Sequence, residues 1–361
     1  MTLAPAAPAP VDTAAWKALA PALGLTLSDD DCGLQSTPLQ AGAAPIGAGF
    51  VCALTDLGLL LASGDDARSF LHGQLTNDVE GLAPQEARWY GYCTAKGRLL
   101  SVFLGWRTPE GMALVSSRPM VEPLRKRLSM YVLRAKARLV DASESRLLLG
   151  LGGQAGAAAL ARLGLEAPAP MTCRQADDLS VVGLPAVALG GQPCPRWLLS
   201  VPVERVAEVW RTLTAGPDGA TLQAWPAEAW RHTEVLAGVP RIVSGTAEQF
   251  VPQTLNLDLS GGVRFDKGCY PGQEVVARTH YLAKQRRRMH LARLNGPLPA
   301  AGSDVLDAAG APVGRVALAA RAPDGQVDLL FETRFEALEA GGLNLAGVPL
   351  QPSALPYPVT P

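Results

Sequence analysis

The order of secondary-structure signals along the chain predicts an α+β protein. Three observations carry this. Strand-like runs follow one another in pairs across tight turns, as antiparallel hairpins require. Helical runs stand between these pairs instead of alternating singly with strands. Beyond residue 286 the chain consists of short strand-like runs punctuated by Gly/Pro turns, the pattern of a small antiparallel β-barrel.

Taken in order, the Ala/Pro-rich segment 1–45 is expected as a loose, flexible arm. VCALTDLGLLLASG then reads as strands around an aspartate turn. DDARSFLHGQLTND reads as a helix that Asp65 or Asp66 caps, with Phe70 and Leu71 on its apolar face. RWYGYCTAKGRLLSVFLGWR is a hairpin turning at Ala95-Lys96-Gly97. Pro123 opens a helix through LRKRLSM, and VLRAKARLV alternates as a half-buried strand with Arg134, Lys136 and Arg138 outward.

A second unit begins near Arg146 with a strand (RLLLGLGG) and a helix (QAGAAALARLGL). A hairpin (DDLSVVGLPAVAL with RWLLSV) and a closing helix (VERVAEVWRTLTA) follow. Gly150, Gly152 and Ala155 match the dinucleotide pattern GxGxxA, but a Rossmann unit needs a parallel strand after the helix and a hairpin follows here. Close helix-on-strand packing is the reading that remains. WPAEAWRHTEVLAGVPRI is a helix with Pro226 in its first turn, Gly238 at C′ and Pro240 barring continuation.

At 361 residues, 48% hydrophobic and 18% charged, the chain can form two or three domains with cores that need no staples. A net charge of −1 argues against a general nucleic-acid or anionic-membrane binder, so any such role must be local. The six cysteines form no CxxC pair and no Cys/His cluster with metal-ligand spacing, so no metal is expected. Scattered thiols suit a reducing compartment. The N-terminal stretch lacks a charged leader region and no apolar run could span a bilayer, so a cytoplasmic protein without membrane contact is expected.

The unusual chemistry concentrates in VRFDKGCYPGQEVVARTHY, Val263 to Tyr281. Gly268 and Gly272 allow sharp bends on either side of Cys269 and Tyr270. Pro271 opens a helical turn holding Gln273 and Glu274, which sets Cys269 just before a helix N-terminus, two residues from Lys267. Both the helix end and the ammonium favour a thiolate, so Cys269 is a candidate reactive thiol. A buried structural cysteine is the alternative.

KGCYPGQE, with EQFVPQTLNLDLSGGVRFD before it and HGQLTNDV and CTAKGRLLS far upstream, resembles the YgfZ family over about residues 50 to 295. That family consists of folate-binding proteins related in fold to the aminomethyltransferase of glycine cleavage. The resemblance implies a GcvT-like ring of three lobes around a tetrahydrofolate channel. The first, folate-binding lobe falls on 46–145 and is completed by the helix and signature segment 221–285. A ferredoxin-like α+β lobe falls on 146–220 and the barrel lobe on 286–361. It also implies support of iron–sulfur assembly or repair, and hence of iron–sulfur enzymes such as tRNA-modifying ones, with iron–sulfur proteins or assembly factors as partners.

The same resemblance places Cys269 and Lys267 at the chemical centre. Around tetrahydrofolate or a derivative it places Trp230, Leu57, Gln253, Asn256, Tyr270, Gln273, Glu274 and Arg278. For Trp230 an aromatic face for the pterin competes with plain helix packing. Leu57 stands where the family has a second folate-contacting tryptophan, and Leu236 where it has a glutamate. Glu234, two residues earlier, is expected on another helix face. Leu100 and Ser101 replace the acids of the transferase hairpin, which argues against aminomethyl transfer. A folate-dependent one-carbon transferase with another acceptor, and an interaction module that has lost folate, remain as alternatives.

From Arg264 to Arg293 there are eight Lys/Arg against two acids, with the densest run at 284–288. The run is open to RNA, a folate polyglutamate tail, an acidic partner, or solvent alone. No aromatic side chains interleave it in sequence, which argues against a single-strand RNA platform.

Overall fold

The computed structural model describes residues 12–30, 32–39, 49–215, 221–281 and 285–360. Within the expected arm, residues 12–30 and 32–39 are folded. Helix α1 (Ala14–Leu23) ends at Gly24 and leads into the antiparallel hairpin of β1 (Leu25–Asp30) and β2 (Gly33–Pro38). Trp16, Ala20 and Leu23 share one helix face by their spacing and are buried with Leu25 and Leu34. That stripe outweighs the proline content, and it corrects the expectation of a loose arm over this stretch. The rest of the arm lies outside the described residues.

The first lobe is built on a five-stranded sheet with order β5-β6-β7-β4-β8. β3 (Phe50–Ala53) belongs to the second sheet, so the turn through Asp56 carries the chain from one sheet to the other before β4 (Leu57–Ser63). Next come α2 (Ala67–His72), β5 (Ala87–Cys93), β6 (Leu99–Thr108), β7 (Gly111–Ser117), α3 (Arg118–Ser129) and β8 (Arg138–Asp141). Asp66 is the N-cap residue of α2, although its carboxylate accepts from the Lys136 N–H instead of from the helix. Two boundaries differ from expectation. α3 starts at Arg118 with Pro119 in its first turn, leaving Pro123 inside the helix. The alternating VLRAKARLV is strand only from Arg138, because Leu133 adopts φ +47° in a turn and is 87% exposed.

The second lobe contains β9 (Arg146–Gly152), α4 (Gly156–Ala161), β10 (Cys173–Ala176), β11 (Leu179–Leu189), β12 (Gln192–Pro202), α5 (Val206–Thr214) and β13 (Gln223–Trp225). Its sheet order is β10-β11-β12-β9-β3-β13, and both neighbours of β9 are antiparallel to it, unlike a dinucleotide-binding unit. Gly150 does serve close packing, though against α6 (Ala227–Leu236) rather than α4. A Cβ there would lie 2.4 Å from the Trp230 ring.

The inner faces of the two sheets meet across Leu57, Leu59, Leu104, Val115, Leu184 and Leu198, with Trp230 among them. Burying each such leucine contributes about 1.5–3 kcal/mol, so the face between the two lobes is a shared apolar core. α7 (Gln273–Tyr281) then leads to a closed barrel. Its strands are β14 (Arg287–Leu294), β15 (Asp304–Leu306), β16 (Pro312–Arg321) and β17 (Val327–Arg334), then, after α8 (Phe335–Ala340), β18 (Asn344–Leu345) and β19 (Val348–Ser353). The α+β class and the C-terminal antiparallel barrel are as expected. Among the described residues no helix is long and apolar enough to cross a membrane.

Candidate functional site

A small cavity opens where the two sheets converge on the end of α6. Leu57 of β4, Val115 and Ser117 of β7 and Leu198 of β12 form walls, with Glu234 and Arg241 at the polar end. Behind the polar end lies Asp56, fully buried in the inter-sheet turn. Its Oδ2 accepts from Arg241 Nη1 at 2.6 Å and from Arg231 Nη2 at 3.1 Å, and Arg231 Nη1 reaches Asp30 of β1 at 2.9 Å. Burial alone would raise the Asp56 pKa, but the two guanidiniums outweigh it and hold the carboxyl below its usual range.

Glu234 is the opposite case: burial outweighs the Arg241 guanidinium and holds its pKa above the ordinary value. Arg241 occupies only its Oε2, so Oε1 is left as a free acceptor among the described residues. As expected, Glu234 stands on another helix face than Leu236, and it is Glu234 that lines the cavity.

Apolar walls with one carboxyl at the end suit the flat body and donor edge of a pterin. The free space does not. It is about 30 Å³, room for roughly one water, whereas sites for such ligands measure about 300–1,000 Å³. The chemistry of the wall fits, and a pterin ring enters only if the walls part.

The signature loop lies against α2. Lys267 Nζ donates to the carbonyls of His72 and Leu75 and sits 4.9 Å from the Tyr270 ring centroid. Burial lowers its pKa to about 8, against the smaller raising effects of Asp78 and Cys269. Gly272 takes φ +81° and packs against Thr94 and Gly97 of the β5–β6 turn, which a side chain would prevent. Cys269, on the crest between these two anchors, is the only exposed cysteine of the six. α7 begins at Gln273, so Cys269 stands back from the helix end and outside the first turn, where a helix terminus exerts its field.

The remaining expected residues divide. Tyr270 is buried beneath Lys267, and Gln273 Nε2 reaches the Lys267 carbonyl at 3.5 Å. Glu274 and Arg278 pair with each other at 2.9 Å on the exposed side of α7. Gln253 and Asn256 are struts, bonding the Val276 and Met289 carbonyls at 2.7 and 2.8 Å, and neither lines the cavity. Trp230 is fully buried between Gly150 and the Arg196 guanidinium, so it has no face open to a ligand, a correction to the stacking expectation.

Of the basic run, Lys284 lies outside the described residues. Arg287 pairs with Glu332, and Arg288 is buried on Asp258 at 2.7 Å, so both hold the barrel entry rather than forming an open patch. Leu100 and Ser101 are buried, Ser101 Oγ lying 2.7 Å from Ser116 Oγ. Sequence reasoning missed Asp56, Arg231 and Arg241 as a unit. The one signal available was an acid between two apolar strands.

No family model matches the chain. It is 34% identical over 275 residues to the tRNA-modifying protein YgfZ of Photorhabdus laumondii, covering 74% of this chain and 77% of that protein. It is 32% identical over 250 residues to the protein of the same name from Vibrio vulnificus strain CMCP6, covering 69% and 70%. Among solved structures, the glycine cleavage system aminomethyltransferase T of Bartonella henselae matches with a TM-score of 0.74 over 96% of this chain and 98% of that one. At 18% identity this is a likeness of fold. With relatives of that identity and coverage, and the signature loop in place, the chain belongs to the YgfZ family of tRNA-modifying proteins.

Proposed function

We propose that this protein is a tetrahydrofolate-binding accessory that supports iron–sulfur assembly or repair, and through it tRNA-modifying enzymes, with Cys269 as its essential group. The observation that carries the reading is the one exposed thiol on a loop anchored at both ends, in a chain whose relatives are named for tRNA modification. Five cysteines are buried, and Cys269 alone is presented to a partner. In the cavity, Glu234 would accept the donor edge of a pterin and Leu57, Val115 and Leu198 would cover its faces. Bound folate would supply one-carbon carrying capacity. This chain's Glu234, Leu57, Val115 and Leu198 would orient it and exclude water. Leu100 and Ser101 offer no carboxylate for aminomethyl transfer, which favours an accessory over a transferase.

The test uses cells lacking the protein, complemented with the parent, Cys269→Ala or Cys269→Ser, and reads modified nucleosides in bulk tRNA by mass spectrometry. Both variants should fail while melting like the parent. Full complementation by both would remove Cys269 from the function. Titration of the purified protein with tetrahydrofolate, followed by intrinsic fluorescence, addresses the ligand, and Glu234→Gln should weaken it. The narrow cavity favours a second reading, an interaction module without folate. No fluorescence change at millimolar tetrahydrofolate would select it.

A further inference from the structure

The expectation from sequence was that no aromatic groups accompany the basic residues near Cys269. The fold reverses this. Phe265, ahead of the signature, stacks on His280 of α7 with ring centroids 3.7 Å apart and planes 14° from parallel. Tyr281 sets its edge against both, at 6.1 and 4.8 Å, and is 68% exposed. An aromatic cluster with the Tyr281 and His280 rings exposed to water stands at the C-terminal end of α7.

At the other end of α7, Gly97 packs on Val275 and Gly272, so the exposed Lys96 and Arg98 border the first helical turn. Lys96 makes no ion pair among the described residues, and Arg98 spends one nitrogen on the Gln249 carbonyl. Between the ends lie Arg278, paired with Glu274, and, beside Phe265, Arg264, paired with Asp266 at 2.7 Å. Four exposed cations thus face the carboxylates of Glu274 and Asp266, with Asp78 also acting on Arg264. Exposed pairs of this kind are worth little in water, so both guanidiniums can turn to a phosphate.

We propose that this strip, from the Lys96–Arg98 turn along α7 to Phe265, His280 and Tyr281, binds single-stranded RNA, with the backbone on the cations and an unstacked base on Tyr281. It deepens the reading above by naming a partner for the surface beside Cys269. A duplex hides its base faces from such a ring, whereas every unpaired base has a face to stack on it.

The experiment measures anisotropy of labelled RNA with the full chain, comparing an unmodified tRNA transcript, a uridine oligomer and a blunt RNA duplex. Both RNAs with single-stranded segments should bind at least about tenfold tighter than the duplex. Tyr281→Ala should weaken them about 5- to 150-fold, the range for loss of one base stack, with the salt slope unchanged, and Tyr281→Trp should restore binding. Lys96→Ala with Arg98→Ala should reduce the salt slope by about 1.4. Tyr281→Ala should leave tetrahydrofolate titration and Cys269 alkylation as in the parent, so loss of RNA affinity is separable from failure of the folate reading. Equal affinity for duplex, indifference to Tyr281→Ala, or no binding at about 1 mM protein would each overturn the proposal.

Discussion

The Lys267 ammonium donates to the Leu75 carbonyl at 2.8 Å, tying the loop that carries Cys269 to the end of α2, 192 residues earlier. The His72 carbonyl accepts from the same ammonium. Lys267→Met should leave both carbonyls without this donor and cost about 2 kcal/mol in urea unfolding. It should also speed alkylation of Cys269 by iodoacetamide. An unchanged alkylation rate would mean that the loop does not depend on this anchor.

Arg241 bridges Asp56 and Glu234 in a buried site, and removing it strands Glu234 and leaves Asp56 with Arg231 alone. Arg241→Ala is expected to cost about 3–5 kcal/mol, the range for breaking a buried pair. Arg278→Ala, which removes an exposed i,i+4 pair with Glu274, should change stability too little to measure. Equal losses in denaturant melts would refute the distinction.

His290 is buried beside Phe331 and Phe335, its Nε2 without a hydrogen-bond partner among the described residues, and burial lowers its pKa to about 4. A depressed folded pKa means that its contribution is complete above the ordinary value near 6.5. It is then lost as pH falls through 4, because the unfolded chain takes up the proton first. His290→Phe should therefore flatten the decline in melting temperature between pH 6.5 and 5, where few carboxylates titrate. Parallel curves for parent and variant would contradict the assignment.

Gly272 and Gly310 share a left-handed backbone, φ +81° and +83°, but not their surroundings. A Cβ on Gly272 would lie 2.4 Å from the Thr94 carbonyl, whereas Gly310 has nothing within 4 Å. Gly310→Ala should cost about 1 kcal/mol of backbone strain alone. Gly272→Ala should cost clearly more and displace the signature loop, seen as altered Cys269 alkylation. Equal costs would show that the contact with the β5–β6 turn is dispensable.

Local pattern was legible wherever one segment settles its own structure. The hairpin turning at Ala95-Lys96-Gly97, the helix closed by Gly238 and the barrel strands follow from turn residues and periodicity, and the structure places them so. The arm was misread because a short apolar stripe, Trp16, Ala20 and Leu23, was hidden among prolines and alanines. VLRAKARLV misled in the other direction, since alternation alone cannot pair a segment that has no neighbouring strand.

The amino-acid sequence by itself determined the α+β class, the family and the bent loop around Cys269, because glycine positions, turn chemistry and an eight-residue signature act within a few residues of one another. Only the tertiary structure decided which groups share a site. It buried Trp230 against a glycine on β9, turned Glu234 into the cavity, joined Asp56 to Arg231 and Arg241, and brought Phe265 onto His280. The physical reason is convergence. Helix periodicity says which residues share a face, but the identity of what that face meets is set by two sheets folding together from segments more than a hundred residues apart.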